Sequence, residues 1–192
     1  MQPLSEPPRI SLRGNAWVAV PVGALLLAVG TNNLLLLNYV HVLTAILWTG
    51  TDIFMGFVLG PILRNVSLST RRELITWLMP KMIFYMTTVS SVTTTAGYFL
   101  AARLGLLAVG PPVYYWMLGL FVVVAVLFIQ GLGFLLPTNL RVFFELRKAQ
   151  PDIAKIQRLT RRYIRVVASQ AVTQLITIFL MANFATGFPL TF

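Results

Sequence analysis

The sequence predicts an all-α integral membrane protein: a four-helix transmembrane bundle with one additional short apolar segment at the N-terminus. Three observations carry the prediction. Of 192 residues, 57% are hydrophobic and 10% charged, against ~45–50% apolar and ~25% charged in soluble domains. Mean hydropathy is +0.80. The apolar runs are long and unbroken, whereas a transmembrane barrel alternates over stretches of ~10 residues. At ~20 residues per crossing, the chain holds four or five spans in a single membrane domain, 1–192.

A basic tail, 1–14, carries Arg9 and Arg13 and precedes an apolar segment over 16–30. That segment is short for a span, and Pro21 and Gly23 weaken its helix. It reads as a short tilted helix, a fifth span if it crosses, or as a segment lying at the interface. No small-residue cleavage site stands near Thr31–Asn33, so the segment reads as retained. "TNN" at 31–33 predicts a tight turn in which asparagine adopts left-handed backbone and caps the next helix. The second segment covers 34–63 and ends in "GPILR". Ser69 or Thr70 is the expected cap of the third, 74–102, with Glu73 in its first turn and Pro80 early in it or at a kink. The fourth runs over 113–136 and stops at Pro137. The polar stretch 137–165 reads as a basic hairpin or helix extension broken at Pro151, and the last span covers 166–188.

Charge gives orientation. Arg64, Arg71 and Arg72 sit in one loop, and Arg141, Arg147, Lys148, Lys155, Arg158, Arg161, Arg162 and Arg165 in the long one; the connection between them holds only Arg103. The positive-inside rule places both basic loops in the cytoplasm and the C-terminus outside, in a cell's inner (cytoplasmic) membrane. The net charge of +10 therefore reads as topology and contact with anionic lipid rather than nucleic-acid binding. The absence of cysteine excludes disulfides, thiolate metal sites and thiol catalysis.

The polar residues inside the apolar segments are the candidate site. His41, the one histidine, and Asp52 are eleven residues apart, within ~20° of one helix face and ~16 Å apart along the axis. Trp48 and Met55 lie near that stripe. An ionised aspartate mid-bilayer costs ~2.5–3.5 kcal/mol even on lenient scales, so Asp52 faces the interior, is paired (with Lys81, for example) or is protonated. The imidazole suits an axial haem ligand, a copper, zinc or iron ligand, or a member of a proton path. Alternatively it bonds a neighbouring carbonyl or threonine. Met79, Met82 and Met86 share a helical face and are either soft ligands or packing. Seven hydroxyls between Thr87 and Thr95 let helices pack closely or line a polar cavity for a quinone or ion. Gln130, Gln170 and Gln174 read as interhelical hydrogen-bonding residues. A single histidine excludes a bis-histidine haem within one chain and a His-pair zinc site.

The stretch "YVHVLTAILWTGTDIFMGFVLGPILR", Tyr39 to Arg64, with its His, Trp-x-Gly and terminal Gly-Pro, resembles small bacterial membrane proteins of the copper-resistance protein D type. It is also similar to the four-helix membrane protoporphyrinogen oxidases of the HemJ type. The resemblance implies a four-helix core carrying haem b or copper. His41 takes the ligand's place, Trp48 and Gly50 match the pattern after it, and Asp52 lies in the same cofactor-binding stretch. Three functions follow as expectations. The first is a haem-b or redox-associated role with His41 on iron and a quinone or partner protein exchanging electrons. The second is transport of copper or another cation past His41, Met82, Met86 and Asp52. The third is a non-catalytic accessory subunit docked through its basic hairpin.

Overall fold

The computed structural model describes residues 13–146, 148 and 150–186, nearly all of them helix, with short connections and no strand among them. Most of the expected tail 1–14 and the end of the last span lie outside the described residues. A 3-10 turn, Arg13–Val18, leads into α1, Ala19–Gly30. Four long helices follow: α2 over Leu34–Asn65, α3 over Leu68–Arg103, α4 over Val113–Leu146 and α5 over Ile153–Ala185. α2, α4 and α5 are each long and apolar enough to cross a membrane; α1 with its lead-in is shorter. α3, at 36 residues, is the longest, but its hydroxyls and the charges of its first turns lower its hydropathy.

The helix ends follow from local chemistry. Asn32 takes a φ of 54°, and the Asn33 side chain accepts from the Leu36 N–H at 2.9 Å, so the turn forms as its composition predicts. Ser67, not Ser69 or Thr70, caps α3, accepting from the Thr70 N–H at 3.2 Å. The helix starts a turn and a half earlier than its apolar run because a cap needs an oxygen, not hydrophobicity. Pro80 consequently falls well inside α3. Asp152 caps α5 through the Lys155 N–H at 2.9 Å.

Pro137 does not stop the fourth span, contrary to the sequence reading, and the reason recurs in α2. The Leu136 N–H reaches back five residues to Gly131 O, and the Gly60 N–H reaches back five residues to Met55 O. Each forms a π turn, Ile129–Leu135 in α4 and Phe54–Leu59 in α2, and in each a proline comes two residues after the turn's last residue. A proline lacks the donor for an i−4 carbonyl and its ring strikes that carbonyl. A wide turn just before it skips a carbonyl and relieves the clash, so both helices continue. The stretch 137–165 is therefore the helix extension of the two alternatives, the end of α4 and the start of α5 with the break at Pro151 between them.

α2 packs on α3 and α5, and α4 packs on α5 and, through its C-terminal third, on α3, closing a four-helix ring; α1 lies outside against α2 and α3. The core comes in layers. Ala28, Leu37, Val40, Val92 and Ala96 join α1, α2 and α3. Trp48, Val89 and Leu127 form the middle. Met117, Leu120 and Leu180 pack near the α3–α4 connection, and Ile75, Met79, Val142, Leu146 and Ile156 at the basic end. Small residues let α1, α2 and α3 approach closely. Arg103 donates to Ala28 O and Val29 O, at 3.2 and 2.8 Å, closing the C-terminal end of α1.

Candidate functional site

The buried stripe of α2 is Leu37, Val40, Thr44, Trp48 and Asp52, the inward face that helical spacing predicts. Asp52 is 1% exposed. It accepts from Gln174 Nε2 of α5 at 2.9 Å, and the Trp48 indole N–H, one turn earlier, is directed at the same carboxyl. Lys81 is exposed and does not reach it. Among the described residues Asp52 has no ion-pair partner; the ion pairs there are those of Glu145 with Lys148 and Lys155.

A partly open cavity of about 40 Å³, whose wall includes Trp48, Thr87, Ser90, Asn139, Tyr163 and Gln170, shares Trp48 and Tyr163 with the surroundings of Asp52. Tyr163 bonds Asn139 and lies within electrostatic reach of Asp52. Gln170 is 1% exposed, and its Oε1, like that of Gln174, has no hydrogen-bond partner. Both π turns meet this region: Phe54–Leu59 begins two residues after Asp52, and Gly131, Leu132 and Leu135 of the other line the cavity. π turns are frequent at functional sites because they re-aim side chains.

His41 stands a level higher, with its own partners on α3. Its Nδ1 lies 2.9 Å from Thr93 O. A carbonyl only accepts, so Nδ1 carries a proton and Nε2 of the neutral ring keeps its lone pair. The ring lies on Gly97, where an added Cβ would stand 2.7 Å from Cε1. Thr93 Oγ1 donates to Thr44 Oγ1 at 2.8 Å. The sequence alternative in which the histidine bonds a neighbouring carbonyl is what this geometry contains.

The expected ligand set does not come together. Met86 packs in the Trp48 layer, and Met82 walls both the cavity at Trp48 and an open surface groove lined by Gly50, Thr51 and Tyr85. Thr93 and Met86 are seven residues apart on one helix, ~10 Å along its axis, so His41 and the two thioethers cannot share one ion. Met79 belongs to the basic-end core. Among the described residues no group of three His, Asp or Glu side chains could hold a metal. Gly50 is exposed and stands apart from Trp48, His41 and Asp52. Nε2 has the chemistry of an iron ligand, and His41 lines neither the cavity at Trp48 nor the groove at Gly50.

Sequence reasoning found Asp52 and Trp48 but not Gln174, Gln170, Tyr163 or Asn139 as their neighbours. Gln170 and Gln174, one turn apart in an apolar run, were the available signal, read as interhelical hydrogen-bonding residues without a named partner; Gln174 makes such a bond, to Asp52. Tyr163 and Asn139 fell in the stretch assigned to the hairpin. No family model, curated protein or solved structure matches the chain.

Proposed function

We propose that this is a multi-pass membrane protein that handles a small cation in the middle of its bundle, with Asp52 as the group that takes on and gives up the charge. The observation that carries the reading is a carboxyl 1% exposed whose neighbours are neutral donors rather than a lysine or arginine. A permanently ionised, unpaired carboxylate in low dielectric is costly. A neutral structural role would be filled at lower cost by asparagine. A carboxyl kept there, beside a cavity and two π turns, is suited to alternate between charged and neutralised forms. The positive-inside rule puts the basic end in the cytoplasm and the C-terminus outside.

The test is cation flux into liposomes containing the purified chain, followed in turn for protons, sodium, potassium and Cu(I). Asp52→Asn should abolish the flux while the protein still elutes as a folded monodisperse peak, and Asp52→Glu should retain part of it. Undiminished flux in Asp52→Asn, or none of these cations moved by the unaltered protein, would overturn the reading.

A further inference from the structure

We infer that the cation is the proton, and that it reaches Asp52 through water held in the cavity between Gln170 and the hydroxyls of α3. This rests on the cation-handling reading above and names its substrate.

Three observations converge. The first is the character of the groups around the carboxyl. Gln174 Nε2 and the Trp48 indole both present N–H donors to Asp52. An alkali ion takes its ligands from converging oxygens, and positively polarised N–H groups on the same carboxylate oppose it. A proton needs one free lone pair on one oxygen and no cage.

The second is the cavity. About 40 Å³ is room for about two or three waters, at ~10–15 Å³ each. A buried water needs two to four polar partners, and the wall offers Gln170, Asn139, Tyr163, Ser90 and Thr87. Gln170 Oε1 is a buried acceptor with no protein partner, and such atoms in native interiors are met by water. The space is too small for an alkali ion with its hydration shell, and no carboxylate stands in its wall.

The third is continuity toward the α1–α2 turn. Ser90 Oγ donates to the Thr87 backbone carbonyl at 3.2 Å, and Thr93 Oγ1, one turn beyond Ser90, donates to Thr44 Oγ1 across the α2–α3 contact at 2.8 Å. His41 stands on Thr93 O at the half-exposed upper end. α3 thus places hydroxyls on successive turns, Thr93, Ser90 and Thr87, between the level of the imidazole and the cavity. The titratable group of α5 that faces Asp52 is Tyr163. On α3 Lys81 is exposed, and on α5 Arg162 lies 5.3 Å from the Phe134 ring centre.

In the step itself a hydrated proton at the Trp48 and Tyr163 side of the cavity, the part of its wall that Asp52 shares, gives up H⁺, an O–H bond forms at an Asp52 oxygen, and the carboxylate becomes a neutral carboxyl. Release is the reverse. No electron moves and no other bond changes.

The experiment uses the full chain in liposomes loaded with a pH-sensitive dye. A potassium diffusion potential drives uptake, and sodium and Cu(I) uptake are measured in parallel. Infrared difference spectra on a pH step report the carboxyl directly. The unaltered protein should move protons and show a protonated-carboxyl C=O band that Asp52→Asn removes. Gln170→Met, close in shape but without the acceptor, should slow proton flux about tenfold, the scale of one lost hydrogen bond to a charged species, while the carboxyl band survives. Ser90→Ala, on the facing wall, serves the same purpose if Gln170→Met does not fold. Asp52-dependent movement of sodium or Cu(I) without protons would overturn the proton assignment and leave the cation reading standing. Flux untouched by Asp52→Asn would overturn both. Full proton flux in folded Gln170→Met and in Ser90→Ala would overturn the water route.

Discussion

At the scale of single residues, the site is a set of donors and acceptors whose removal has a definite sign. Gln174→Leu takes one donor from the buried Asp52 carboxyl, and an unmet buried polar group costs ~1–3 kcal/mol. The expected result is a lower melting temperature in detergent, with the penalty shrinking when Asp52→Asn is present as well, since the two share one hydrogen bond. An additive double variant would show that the bond carries no stability. Gly97→Ala tests the seat of His41. Its Cβ would stand 2.7 Å from Cε1 and 3.0 Å from Nδ1, so the ring must move off Thr93 O, at ~1–3 kcal/mol for overpacking. The imidazole nitrogen resonances should shift in Gly97→Ala; unchanged resonances would mean that the ring does not rest there. His41 and Asp52 were legible as inward-facing residues because helical spacing sets which face a residue shares. Their partners were not, because Thr93, Gly97 and Gln174 lie 52, 56 and 122 positions away, and only packing brings them close.

At the scale of elements, the two proline-linked π turns decide how α2 and α4 pass the middle of the bundle. Gly60 has room for its i−5 bond because it lacks a side chain: a Cβ there would stand 3.2 Å from Met55 O. Gly60→Ala should therefore cost ~1–2 kcal/mol. Adding Pro61→Ala should recover part of that, because the restored N–H lets the turn close to ordinary i−4 bonding. Thermal unfolding of the single and double variants in detergent measures both, and equal losses would mean that the wide turn is not coupled to the proline. Helix existence was readable from apolar length, and the Asn33 cap from its composition. The continuation through Pro137 was not, since a proline read alone says stop. The wide turn that spares the helix depends on bonds five residues back.

At the scale of the whole molecule, the basic end is tied by one acidic residue. α4 has 34 residues, ~51 Å, well beyond a hydrocarbon core of ~30 Å, so its last turns project past the apolar zone. There Glu145 accepts from Lys155 Nζ at 2.7 Å and Lys148 Nζ at 3.0 Å, and it also takes the Asp152 N–H at the start of α5. The hydrogen bonds from Lys155 and then Lys148 outweigh its desolvation and hold its carboxyl down at about 2, from an ordinary 4.5. A carboxyl lowered on folding adds stability above its unfolded value and loses it as the folded value is passed. The α4–α5 corner should therefore weaken between about pH 4.5 and pH 2. Amide exchange or limited proteolysis at residues 146–153 should rise over that window. Glu145→Gln should raise it at neutral pH and flatten the acid dependence. A corner equally protected at pH 2 and pH 7 would show that the lysines do not hold it.

Composition and periodicity by themselves determined that the chain is helical, that its long apolar helices suit a bilayer, where polarity interrupts them and which residues share a helix face. These properties are local: apolar length, side-chain volume and a 3.6-residue repeat act within one segment. Only the tertiary structure decided that Asp52 meets a glutamine rather than a lysine, that His41 and the methionines stand apart, and that the polar residues of α3, α4 and α5 surround one small cavity. Those outcomes depend on the relative height and rotation of helices, which are set by small-residue contacts, a capped α1 and two wide turns. No single segment encodes them.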